Sequence, residues 1–235
     1  MSTPSEPGAE PEPQPVAAPG ATALLLQRHV STPRLATYVQ ASGGSVEAAV
    51  ELYQWNASIA GVVWEVLGHV EVVLRNALHD ELTARHRRLG RVGEWYDDPA
   101  GELEAHARDD VAKARRRLRR AGAPALPGKI VAELSFGFWR FLLARRYTAT
   151  LWPALRPGFP YLPSADRLGL EAPVTRLHKL RNRVAHHEPL IAEPLSARYE
   201  DMLFVVAAVD PHLKAWLAAG NRLPDVLASR PGATR

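Results

Sequence analysis

The chain contains no cysteine. That excludes disulfide scaffolds, thiol nucleophiles, zinc–thiolate sites and iron–sulfur clusters. No uninterrupted apolar run reaches the roughly 18 residues that a membrane-spanning helix needs, so no membrane association is expected. Residues 1–20 hold neither Lys nor Arg. Without a basic start or an apolar centre they do not read as a secretory signal, and the expected location is the cytoplasm. What is present suits a folded domain. Of 235 residues, 46% are hydrophobic and six are Trp, which supports a sizeable core and rules out a wholly disordered chain.

Residues 1–30 read as a disordered tail, with Pro4, Pro7, Pro11, Pro13, Pro15 and Pro19 interleaved with Glu6, Glu10 and Glu12. The whole chain carries a net charge of +4, so the remainder is more basic still. That balance permits a polyanionic partner. The folded domain is expected over residues 31–220, with a C-terminal tail over 221–235. Ser31-Thr32-Pro33 marks its start, a capping residue before a proline.

The apolar spacing is helical throughout, with no strand-length alternation, which predicts an all-α bundle of five to seven helices. The clearest helix covers about 46–87, possible break at Asn56 included, with Val63, Leu67, Val70, Leu74 and Leu78 on its core stripe. A second is expected over about 101–121, opening on Glu102 and Glu104. A third is expected over about 129–148. A Pro-rich loop then leads to a helix over about 173–187 with Pro173 at its first position. A last pair covers 195–209 and 211–219, with Asp210 as cap.

The informative segment runs from Leu177 to Pro189. At about 100° per residue, Val174, Leu177, Leu180 and Val184 form a core stripe, and Arg181 projects only about 40° from its centre. A guanidinium there requires a carboxylate, a phosphate or a route to water; Glu71 is a candidate partner. Glu188 precedes Pro189, so the helix is expected to end near His187. Its two histidines would then occupy the last turn, where the dipole favours a cation. Asn182 and His186, four apart, share a face. Two imidazoles, an amide and a guanidinium within seven residues are the ingredients for metal-free RNA cleavage. An imidazole takes the 2′-hydroxyl proton, the oxygen attacks phosphorus, and the arginine fork stabilises the added charge. The same residues also suit a buried ion pair followed by a solvated helix end.

Here the sequence resembles the HEPN superfamily, through Arg181-Asn182 followed by His186 in an R-x4-H pattern. The run from Leu180 to Glu188 is more narrowly similar to the Abi-like (abortive infection) proteins of bacteria. Leu74-Arg75-Asn76-Ala77-Leu78 and the segment from Ala132 to Arg140 add to the likeness, which covers roughly 33–219. The resemblance implies a helical bundle, frequent homodimers and, in many members, metal-independent ribonuclease activity in phage defence or toxin-like growth arrest. It implies that Arg181 polarises the scissile phosphate, His186 is the acid/base group and Asn182 orients phosphate or histidine. R-x5-H is also accepted in the superfamily, so His187 remains the second choice. Some members only bind nucleotides, RNA or partner proteins.

Further candidates surround this core. Lys113 to Arg120 holds six cations in eight residues. Arg115, Arg116 and Arg119 from that run, with Lys179 and Arg183, are candidate RNA phosphate contacts; a helix end balanced by its own acidic start explains the run as well. Glu71, Arg75 and His79, at i, i+4 and i+8, suit either a cleft lining beside Arg181 or a surface ladder of ion pairs. Phe136, Phe138 and Trp139 favour core packing over base stacking. His178, His186 and His187 lack further ligands at zinc spacing, so no metal or cofactor is expected. The expected partners are RNA, a second copy of the chain and a cognate antitoxin.

Overall fold

Val63, Leu67, Val70, Leu74 and Leu78, spaced three and four apart, are all buried, as one face of a core helix must be. The helix that carries them is the longest in the computed structural model, which describes residues 19–232. Among these residues all regular structure is helical: eleven α-helices and three 3-10 turns. The expected five to seven is therefore too few, because short polar breaks divide what hydrophobic spacing alone reads as continuous.

The chain divides into two units, Met1–Trp55 with Pro231–Arg235, and Asn56–Arg230. In the first, α1 (Pro19–Val30) packs on α2 (Thr32–Ala41). The expected disordered tail is thus too long at its C-terminal side. Pro19 suits a first helical position, and the Ala- and Leu-rich run behind it has high helix propensity. Residues 1–18 lie outside the described residues. Ser31 stands at the N-cap of α2 but makes no side-chain cap bond. α3 (Val46–Arg88) supplies residues to both units and is unbroken at Asn56.

The second unit continues with α4 (Ala105–Arg120), α5 (Pro127–Glu133), α6 (Phe136–Leu142), α7 (Trp152–Leu155), α8 (Arg167–Ala185), α9 (Leu195–Val209), α10 (Pro211–Gly220) and α11 (Leu223–Ala228). α8 packs on α6 and α9, α9 on α10 and α11, and α4 on α5 and α6. Phe136, Phe138 and Trp139 are fully buried, which settles their role as core.

Several boundaries differ from the sequence reading. α4 begins at Ala105, leaving Glu102 outside to accept from Arg85 at 2.6 Å and Arg91 at 2.8 Å. The helix expected over 129–148 is interrupted because the Ser135 side chain accepts from the Phe138 amide at 3.3 Å and starts α6 afresh. α8 starts earlier than Pro173, at a cap where Asp166 accepts from Leu168 at 3.2 Å. Pro173 is buried inside that helix. α11 occupies part of the expected C-terminal tail, and residues 233–235 lie outside the described residues. Asp210 caps α10 as expected, accepting from His212 at 2.7 Å. α3 is also long and apolar enough, by length and composition, to cross a membrane. This corrects the expectation that no such segment exists, because Glu65 and Glu71 interrupt the apolar run without abolishing its mean hydropathy.

Candidate anion-binding site on α8

Leu170, Val174, Leu177, Leu180 and Val184 are all buried and fix the rotation of α8 against its neighbours. His178, Arg181 and Asn182 are thereby held at the flank of the core stripe, half-buried. The Arg181 guanidinium lies over the exposed Trp64 ring of α3, with Cζ 5.1 Å from the ring centroid. Its buried Nε–H has no acceptor among the described residues. The suggested pairing with Glu71 is electrostatic only. The two form no ion pair among the described residues, yet the Arg181 charge bears on the Glu71 carboxyl. Burial pushes that carboxyl up, and Arg181, Arg75 and the Phe136 amide pull it back only in part.

His178 belongs to the same group. Its imidazole pKa is pushed down first by burial and then by the Arg140 and Arg181 charges, which keeps it neutral. Its Nε2 is 3.4 Å from the Asn182 amide nitrogen, an arrangement in which the amide donates and the neutral imidazole accepts. α6 comes close on the other side. A Cβ added at Gly137 would lie 3.1 Å from His178 Nε2, and the Phe136 ring centroid is 6.0 Å from that of His178. Sequence reasoning weighs His178 only for zinc, which it sets aside, and names Arg140 only as the end of a family-like segment. The signal available is the spacing of His178, Arg181 and Asn182, which puts all three on adjoining faces.

The two histidines of the motif sit apart from this group. α8 ends at Ala185, His186 is its C-cap residue, and His187 follows with φ 54°. The helix expected to reach His187 stops short because the chain turns left-handed there. The His187 amide donates to the Val184 carbonyl at 3.0 Å, and the Glu188 amide to the Arg183 carbonyl at 2.9 Å. Both rings are exposed. Helical arithmetic puts His186 about 40° from Asn182 and about 140° from Arg181. After this turn, the buried Asn56 side chain accepts from the Leu190 amide at 2.7 Å, fixing the exit path.

The remaining candidates are spread out. Arg183 donates to Glu193 at 2.7 Å and to the Pro189 carbonyl at 3.0 Å, so its guanidinium secures the loop after α8. Lys179 is exposed. On α4, Arg115 pairs with Asp97 and lies over Tyr96, while Arg116 and Arg119 are exposed. Arg75 donates to Asn76 at 3.3 Å. His79 accepts from the Trp95 indole at 2.9 Å, so Glu71, Arg75 and His79 do not form a ladder of ion pairs among the described residues. No cluster of three or more metal-ligating side chains occurs among the described residues.

No protein-family model, curated protein or solved structure matches this chain. The role of the site is therefore read from its chemistry. A guanidinium held beside the core, with a donor lacking an acceptor, attracts an oxyanion.

Proposed function

We propose that this chain is a metal-independent endoribonuclease of the Abi-like HEPN type, built on a HEPN-like helical bundle and cleaving RNA by 2′-hydroxyl attack. The observation that carries the reading is Arg181: a half-buried guanidinium whose Nε–H has no acceptor among the described residues. In this reading Arg181 grips the non-bridging oxygens of the scissile phosphate and stabilises the charge that develops there. Asn182 orients the bound group. His186, on the Asn182 face and open to solvent, transfers protons between the 2′-oxygen and the leaving 5′-oxygen, with His187 the alternative for that role. No metal or other cofactor takes part.

The exposed cations Lys179, Arg116 and Arg119 add sequence-independent, salt-sensitive attraction for RNA. A homodimer fits the second unit. Gly61, Trp64, Gly68 and Val72 leave an exposed, mostly apolar stripe along α3, and Trp64 joins that stripe to Arg181. A second copy placed there would bring two Arg181 sites to one cleft. The biological setting would be cytoplasmic phage defence or toxin-like growth arrest, with a cognate antitoxin as restraint.

A second reading has its own support. Neither His186 nor His187 has its ring held by a hydrogen bond among the described residues, as a catalytically silent module binding RNA, a nucleotide or a protein would allow. One assay separates the two: single-stranded RNA in excess chelator with wild type, Arg181→Ala and His186→Ala. Cleavage to 2′,3′-cyclic phosphate ends that both variants lose supports the nuclease. Binding by wild type without cleavage supports the silent module.

A further inference from the structure

Among the described residues, four arginines keep a buried Nε–H with no hydrogen-bond acceptor: Arg140, Arg156, Arg181 and Arg183. Two of these are otherwise engaged. Arg156 donates through its terminal nitrogens to the Phe159 and Leu162 carbonyls, and Arg183 to Glu193 and the Pro189 carbonyl. The side chains of Arg140 and Arg181 make no hydrogen bond and no ion pair among the described residues. They are also the two cations whose charge acts on His178. Two guanidinium groups, one from α6 and one from α8, thus bear on a single imidazole, each with a donor that burial leaves unsatisfied.

The local sequence explains how α6 delivers its arginine there. Phe136, Phe138 and Trp139 anchor the helix in the core. Gly137 lacks the side chain that would meet His178, since a Cβ would stand 3.1 Å from its Nε2. Arg140 follows one turn later, on the Gly137 side. On α3, Glu71 feels the charges of both Arg181 and Arg75. Glu71 forms an ion pair with neither Arg140 nor Arg181 among the described residues, so those two keep their excess positive charge.

We propose that Arg140 and Arg181 are the two prongs of one binding site for a phosphate oxyanion, a site that includes the His178 imidazole and the Asn182 amide beside it. The site deepens the nuclease reading, on which it rests only for identifying the phosphate as an RNA linkage. Binding and His178 protonation are linked: burial is the first cause that disfavours the charged ring, and an anion offsets the second, the two neighbouring cations. A phosphodiester, which does not itself titrate near neutrality, therefore binds more tightly as pH falls and His178 gains its proton.

The test uses the full chain with two probes, inorganic phosphate and a 2′-deoxy tetranucleotide, which offers phosphodiesters but no 2′-hydroxyl for cleavage. Histidine ring resonances, with His178 assigned through His178→Gln, report binding by NMR. Expected is a saturable shift of the His178 signals, with the dissociation constant raised about tenfold or more in Arg140→Gln and in Arg181→Gln, as loss of a charged hydrogen bond implies. Circular dichroism checks the fold. Should Arg140→Gln unfold, Arg140→Lys, which keeps the charge but loses the fork, is expected to bind several-fold more weakly. Unmoved His178 signals with both probes, or an Arg140 variant that binds as tightly as wild type, overturns the site. A response to inorganic phosphate alone supports the oxyanion site and overturns its assignment to RNA. Phosphodiester binding by a wild type that never cleaves RNA removes the nuclease reading and leaves the site standing. RNA cleavage with unchanged KM and kcat in Arg140→Gln does the reverse.

Discussion

α4 and α8 each end in a crowd of cations, and each closes with the same pair of crossing backbone bonds. In α4 the Gly122 amide donates to the Arg119 carbonyl at 3.1 Å and the Ala123 amide to the Leu118 carbonyl at 2.9 Å, matching the pattern at the end of α8. The surroundings differ. Arg115 and Arg117 of α4 are paired with Asp97 and Glu133, and their neighbours face water. Arg181 of α8 lies against the core with no ion-pair partner among the described residues, and Trp64 lies against its face. A dense run of arginines can thus be self-compensated surface, while a single arginine carries unsatisfied charge. Placement relative to the core stripe, rather than the number of cations, separates the two cases.

That contrast is broken most directly by removing the guanidinium at each end. Arg181→Ala is expected to reduce RNA cleavage by about a hundredfold or more, the scale seen when an oxyanion-stabilising donor is lost, while Arg119→Ala leaves turnover at low salt near wild type. Urea unfolding of the same variants sharpens the point. Arg181 has no ion-pair partner among the described residues, so its removal is expected to cost less than about 1 kcal/mol, far below the roughly 3–5 kcal/mol typical of a broken buried pair. A larger loss would make Arg181 a structural residue and undo the contrast with α4.

The next effect in size concerns the contact between α6 and α8. Gly137→Ala places a methyl group 3.1 Å from His178 Nε2, a contact so tight that the imidazole must give by a few tenths of an ångström. The expected cost is about 1–3 kcal/mol from overpacking, read as a lower urea midpoint, together with displaced His178 NMR signals. On α4 nothing within 4 Å opposes a Cβ at Gly122, but its φ of 64° makes alanine there a matter of backbone strain alone. A Gly137→Ala variant with unmoved His178 resonances would show that α6 does not set the position of that imidazole.

Much of this is legible in the sequence, and the part that is not has an identifiable cause. The stripe from Val174 to Val184, the Asp210 cap and the buried Phe136, Phe138 and Trp139 follow from periodicity and residue type. The break at Ser135 escapes notice because hydrophobic spacing continues across it; only the competition between a serine side chain and the helix reveals it. Arg181 stands out because a charge at the edge of an apolar stripe is visible in one dimension. Arg140 does not, since its relation to His178 exists only once α6 and α8 are packed together. The start of α4 is misplaced for a related reason. Glu102 reads as an acidic first-turn residue, but its carboxylate is taken by Arg85 and Arg91 instead.

That displaced glutamate gives a smaller effect, confined to acid. Hydrogen bonds from Arg85 and Arg91 hold the Glu102 carboxyl at about 2, well below its ordinary 4.5. A folded-state value below the unfolded one means that the stabilisation is fully present above about 4.5 and is lost as pH falls toward 2. The wild-type urea midpoint is therefore expected to fall through this window. Glu102→Gln, less stable at neutral pH, should lose less of its remaining stability there. Parallel acid limbs for the two proteins would mean that the arginines do not hold the carboxylate in solution.

The smallest effect tests why α8 ends on histidine. Gly43, Gly90 and Gly122, with φ of 63°, 63° and 64°, occupy the left-handed position after α2, α3 and α4, and His187, with φ 54°, occupies it after α8. Glycine reaches that region without a Cβ clash, whereas histidine carries a penalty. His187→Gly is therefore expected to raise stability by about 0.5–1 kcal/mol, a net of relieved backbone strain and a more flexible unfolded chain. Thermal melting measures the gain, and RNA cleavage by the same variant decides its meaning. A stabilised His187→Gly that still cleaves RNA leaves His186 as the proton-transfer group. A stabilised variant that no longer cleaves shows that the left-handed turn holds His187 in position at the expense of stability, and moves the acid/base role to it.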